Sequence, residues 1–263
     1  MRAVRGRIHC EKQGVIGWIV FDHPERRNAI TAEMWREIPK AAEALDADPE
    51  VRVVVLRGAG DVAFVSGADI SEFEESRSGA SAEKYDRQNG EAFAALEAIR
   101  KPTIALVHGF CVGGGCALSL SADIRYAAED AVFAIPAGRL GLGYHSGGLE
   151  NLVKVVGLPF AKEIFFTARR FSAEEALRMG LVNQVFSKAE LDQAVLDIAE
   201  GIAANAPLTL RSGKLVLGQL ATEASRRDRD AVAESIRECY ASDDYAEGVR
   251  AFLEKRRPSF KGS

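Results

Sequence analysis

A chain of 263 residues has room for one large domain or one domain with a small appendage, and 47% hydrophobic with 27% charged residues is the balance of a globular enzyme. A net charge of −4 gives no general attraction to nucleic acid, and no apolar run reaches the roughly 18 to 20 residues of a membrane span. The first residues lack the apolar core of a signal peptide, so a cytoplasmic protein is expected. Cys10, Cys111, Cys116 and Cys239 show no C-x-x-C pairing, and His9, His23, His108 and His145 show no H-E-x-x-H spacing. No metal is expected, and the thiols read as buried and inert.

Residues 7–12 and 15–21 read as a hairpin closed near Gln13-Gly14. A loop through Glu25-Arg26-Arg27-Asn28-Ala29 follows, and Thr31 caps a helix to about Leu45 that Pro39 should kink or split. Residues 51–57 form a nearly continuous apolar strand, the kind buried on both faces. Between Ser71 and Gly90 the sequence is polar and predicts a surface segment or lid. A helix is expected over 91–99, then an apolar strand over 103–107 and short strands near 124–126 and 132–135. Ser172 and Glu175 fit a capping box for a helix closed at Gly180, and residues 181–186 are the last strand. From Ala189 onward the pattern is helical, so the whole is an α/β core with a helical appendage.

The chain is organised around residues 108–117, His-Gly-Phe-Cys-Val-Gly-Gly-Gly-Cys-Ala. A strand that ends in glycines before a helix brings bare N–H groups to a surface, where negative charge is favoured. The spacing is not G-x-G-x-x-G, and no G-K-[S/T] closes the run, so dinucleotide and P-loop readings recede. Ser66-Gly67-Ala68-Asp69-Ile70 is a second turn of the same type. Two N–H donors from two such turns, converging on one point, make an oxyanion hole.

Both stretches, with the 25–29 loop, Ala122-Asp123-Ile124, the region from Glu174 to Val182 and the terminal run 247–256, resemble the crotonase superfamily, the enoyl-CoA hydratase/isomerase family. The resemblance implies a crotonase-like spiral of β-β-α turns over 1–200, with a C-terminal α-helical trimerisation region over 201–263. It also implies an acyl-CoA thioester substrate and assembly as a homotrimer or dimer of trimers. No cofactor is implied beyond the coenzyme A of the substrate, and neither nucleic acid nor membrane is a partner. The thioester oxygen would sit between the N–H groups of Ala68 and Gly114. Ser66, Ala68, Asp69 and Ile70 would line the adenine pocket, and Arg26, Arg27 and Ala29 would follow the phosphates and pantetheine. Phe252 and Lys255 would reach a coenzyme A, that of the same or of a neighbouring subunit.

Two departures matter. Where the family's hydratases carry glutamates, after the glycines and after Pro136, this chain has Ala117 and Ala137. Hydration needs a base for water and an acid for the α-carbon, and alanine is neither. The loop 139–150 offers Tyr144, His145 and Glu150 instead. Tyr144 within Leu-Gly-x-x-Tyr, with residues 161–168, resembles the methylmalonyl-CoA decarboxylase branch, where a tyrosine at this place helps bind the departing carboxylate. That branch's histidine is Ala68 here. A catalytically silent acyl-CoA-binding protein is the competing expectation.

Overall fold

The computed structural model describes residues 6–72, 80–144 and 146–263. Strands β1 (Arg7–Gln13) and β2 (Ile16–Asp22) form the expected antiparallel hairpin. Helix α1 (Ala32–Ala47) begins at Thr31, whose side chain accepts the Met34 N–H at 3.2 Å, and runs through Pro39 without splitting. It is followed by β3 (Val53–Gly58), β4 (Ala63–Val65) and α2 (Ala80–Glu97). The helix expected over 91–99 therefore starts eleven residues earlier, inside the segment that reads as a polar lid; residues 73–79 of that segment lie outside the described residues. Next come β5 (Thr103–Val107), β6 (Phe110–Val112), α3 (Gly114–Leu120), β7 (Ile124–Ala128) and β8 (Val132–Ala134). Helix α4 (Ser146–Thr167), β9 (Phe171–Ser172), α5 (Ala173–Arg178) and β10 (Gln184–Phe186) complete the core. The capping box is present in full, with Ser172 and Glu175 exchanging both hydrogen bonds. The last strand is shorter than expected because residues 181–183 carry the turn out of α5.

The strands divide between two sheets, ordered β1-β2-β3-β5-β7-β10 and β4-β6-β8-β9. The pairs β3/β4, β5/β6 and β7/β8 each give one strand to each sheet, so the chain winds as a spiral of β-β-α turns. Strands β4, β6 and β9 have no counterpart among the expected strand ranges, and β6 matters most for the site. Gly109 makes the corner from β5 into it, with φ 49° and no room for a Cβ beside the Val62 carbonyl. Ile19, Phe21, Val54 and Leu56 face one core with α1, while Trp18, Val20, Val53 and Val55 face a second core closed by Leu191, Val195 and Ala199 of α6 (Leu191–Ala203). The apolar strand over 51–57 is thus covered on both sides, as its composition requires.

Helices α7 (Pro207–Leu220), α8 (Arg229–Ala241) and α9 (Asp243–Leu253) follow, and few of their side chains are buried. Asp123 ties this region to the core: its Oδ2 accepts from Thr103 N–H at 2.7 Å and from Lys214 Nζ at 2.8 Å. Leu217, Tyr240, Phe252 and Leu253 are all more than 60% exposed, and the last three border a groove of about 660 Å³. Cys111 and Cys116 are buried, but Cys10 is exposed and Cys239 half-buried, so burial holds for two of the four thiols. No helix among the described residues is long and apolar enough to cross a membrane.

Candidate active site

A cavity of about 360 Å³ opens where β4 and β6 end. Those two strands are parallel neighbours in the smaller sheet, so the turns after them, which carry Ala68 and Gly114, lie side by side. Ala68 and Gly114 both line the cavity. Ala68 forms an isolated parallel bridge with Ile30: Ile30 N–H donates to Gly67 O at 2.8 Å, and Asp69 N–H donates to Ile30 O at 2.9 Å. That pattern uses the groups on either side of Ala68, so its own N–H points away from Ile30. Gly114 is the first residue of α3, and its N–H has no carbonyl one turn earlier within the helix. Gly115 seats α3 against β4, since a Cβ there would overlap the Val65 carbonyl and lie 2.8 Å from Val65 Cβ.

The 24–30 loop is fastened to the second turn. Ser66 Oγ donates to Arg26 O at 3.1 Å, and Ser66 N–H donates to Arg27 O at the same distance. Asn28, 1% exposed, donates to Ala59 O and Ala63 O at 3.0 and 2.7 Å and accepts His23 N–H at 3.0 Å. Ser66, Ala68 and Ile70 line the cavity, and the Arg26 and Arg27 main chain is held beside Ser66; Ala29, in the same loop, is buried. The Arg27 guanidinium lies 4.7 Å from the Phe110 ring centroid. Partial burial works against the Asp69 carboxylate, but two hydrogen bonds from Ser71 and the charge of Arg26 outweigh it and hold its pKa below the ordinary value.

Tyr144 lines the cavity, half-buried, with its ring 5.6 Å from Phe165 in an edge-on arrangement. His145 lies outside the described residues. Glu150 is exposed and paired with Lys154 at 2.9 Å, and that hydrogen bond lowers its pKa; it is not a lining residue. Ala137 faces the cavity, while Ala117 is buried in α3. Phe252 and Lys255 are not brought to this cavity; Phe252, 83% exposed, borders the C-terminal groove instead.

Helix α2 supplies what the sequence did not reveal. Asp86, Asn89, Gly90 and Phe93, spaced i, i+3, i+4 and i+7, present one face to the cavity. Trp35 of α1 joins this wall: its Nε1 donates to Tyr85 Oη at 2.9 Å, its ring meets Phe93 edge-on at 5.5 Å, and a Cβ on Gly114 would come within 3.2 Å of it. A signal existed in that helical spacing, but the polar run 83–89 hides it.

A β-β-α spiral in two sheets, with a cavity where the turns after two adjoining parallel strands lie side by side, defines the class of fold. The chain belongs to the enoyl-CoA hydratase/isomerase family, whose model matches residues 11–263. It is 36% identical to a short-chain-enoyl-CoA hydratase of Clostridium acetobutylicum over 254 residues, covering 95% of each chain. It is 38% identical to a peroxisomal Delta(3,5)-Delta(2,4)-dienoyl-CoA isomerase of Arabidopsis thaliana, covering 92% of this chain and 91% of that one. The crystal structure of an enoyl-CoA hydratase/carnithine racemase from Magnetospirillum magneticum superposes with a TM-score of 0.93 at 35% identity, over 97% of this chain and 96% of that one.

Proposed function

We propose that this protein is an acyl-CoA-processing enzyme that stabilises a thioester enolate between the N–H groups of Ala68 and Gly114. The observation that carries the reading is the pair of main-chain donors on one cavity, each left over by the hydrogen bonds around it. An enolate carries its charge on the thioester oxygen, and each donor aimed there contributes about 3 to 4 kcal/mol to the transition state. Arg26, Arg27, Ala29, Ser66, Asp69 and Ile70 are the contacts we assign to coenzyme A, which enters as part of the substrate. Phe252 and Lys255 would serve a neighbouring subunit's coenzyme A in a homotrimer or dimer of trimers; the exposed apolar face around Phe252 supports such an assembly. We place the protein in the cytoplasm.

A second reading, loss of CO₂ from a malonyl-type thioester, is favoured by Tyr144 on the cavity wall and by alanine at 117 and 137, because decarboxylation forms the enolate without a base. The protein is to be incubated with enoyl-, β,γ-enoyl- and malonyl-type CoA thioesters and the products read by mass spectrometry, with Gly114→Pro as the donor deletion. The wild type should turn over at least one thioester class, and the variant should lose about 10² to 10³ in kcat. Full activity in Gly114→Pro would overturn the donor assignment, and tight CoA binding without turnover would leave a silent binding protein.

A further inference from the structure

Among the described residues that line the cavity, Asp86 is the only carboxylate. We propose that Asp86 is the proton-transfer residue of this site, shifting a double bond along the acyl chain of an unsaturated thioester. The inference rests on the thioester reading and names its substrate class.

Position supports it first. The α2 face that carries Asp86 is pinned to the donor turn through Trp35, which holds Tyr85, the residue before Asp86, by a 2.9 Å hydrogen bond and lies against Gly114. Phe93, two turns further along the same face, packs on the same indole. Asp86 is thereby set on a rigid helix rather than on a loop, on a wall that Trp35 joins to Gly114. Asn89, one turn on, lines the cavity with its Oδ1 buried and without a partner among the described residues, so the polar groups of this wall are gathered on one helix face. Ile135, Leu142 and Phe93 add an apolar lining on which an acyl chain can lie.

One carboxylate beside an apolar chain suits a proton shift. The Asp86 carboxylate removes a proton from the α-carbon of a β,γ-unsaturated thioester. The C–H electron pair becomes the α,β double bond of a dienolate, whose negative charge rests on the thioester oxygen between Ala68 and Gly114. The Asp86 carboxyl then returns a proton to the γ-carbon, the oxygen regains its carbonyl bond, and the conjugated thioester leaves. No water, oxidant or second base enters, and Asp86 ends as it began.

The full-length protein is to be given vinylacetyl-CoA in deuterium oxide, with conjugation followed by ultraviolet absorbance and deuterium on carbon by mass spectrometry. Binding of acetyl-CoA, which cannot be conjugated, is measured in parallel by calorimetry. The wild type should form the conjugated product with the α-proton carried to the γ-carbon, so that deuterium there is at most partial. Asp86→Asn should lower kcat by about 10² to 10⁴ with acetyl-CoA affinity and melting temperature unchanged, and Asp86→Glu should restore part of the rate. Wild-type kcat in Asp86→Asn overturns the proposal, as does a wild type that binds acetyl-CoA but neither conjugates nor exchanges. Failure to bind acetyl-CoA at all overturns the thioester reading along with it.

Discussion

Asn28 offers the sharpest test of how the cavity mouth is held. It sits at φ 57°, a left-handed conformation that asparagine tolerates better than most residues, and its side chain serves three main-chain groups. In Asn28→Ala the His23 N–H and Ala63 carbonyl, both at buried contacts, lose their partner, whereas the half-buried Ala59 carbonyl can turn to water. Two buried unpaired groups at about 1 to 3 kcal/mol each give about 4 kcal/mol in all. For a chain of this size that is a fall of about 10 °C in melting temperature. Asn28→Asp keeps the acceptor for His23 but turns a carboxylate toward two carbonyl oxygens, so it should destabilise at least as much as alanine. Urea and thermal unfolding of both variants measure this, with acetyl-CoA affinity recorded beside them because Arg26, Arg27 and Ser66 move with the loop. An alanine variant within roughly 1 kcal/mol of wild type, or an aspartate variant more stable than alanine, would refute the reasoning.

Two further predictions concern the C-terminal region. Hydrogen bonds from Arg256 Nη1 and Nη2 at 2.6 and 2.8 Å, with one from Ser259 N–H, hold the Glu247 carboxyl down to about 2. A depressed carboxylate contributes stability above its ordinary pKa and loses it as the pH falls toward the folded value. The urea-unfolding difference between wild type and Glu247→Gln should therefore be constant above about pH 5.5 and shrink steadily below it; a gap that widens in acid would contradict the assignment. Phe252→Glu puts a charge in the middle of the exposed apolar face and should lower the mass seen by sedimentation equilibrium, while an unchanged mass would remove Phe252 from the interface.

Much of this fold is legible because its signals are local. The run 53–56 is apolar on every residue and is buried on every residue, and Thr31, Ser172 and Glu175 cap as their types dictate. Strand β6 is hidden because three residues between glycines are too few to show a period, yet it is the strand that places Gly114 beside Ala68. Helix α2 is hidden for a different reason. One of its faces packs through Tyr85, Ala92 and Leu96, while the other carries Asp86, Asn89 and Gly90 into a cavity, so its apolar stripe is interrupted where it matters to the site. Pro39 misleads in the opposite direction: the helix around it buries Met34, Trp35, Ile38, Ala41 and Ala42, and that packing carries it past the break. Charged residues are interleaved with the exposed Leu217, Tyr240 and Phe252 of α7 to α9, so the sequence pattern by itself does not mark them as an apolar face.

The pairing of β4 with β6 has a consequence for how such a site can change. The groups it brings to the cavity at Ala68 and Gly114 belong to the main chain, and among the twenty residues only proline lacks that N–H. Substitution at the surrounding wall positions, Ala137, Asp86 or Tyr144, leaves those two donors where they are. On the proposed reading, the groups that move protons can be exchanged one wall at a time while the two N–H groups that would hold the oxygen stay in place.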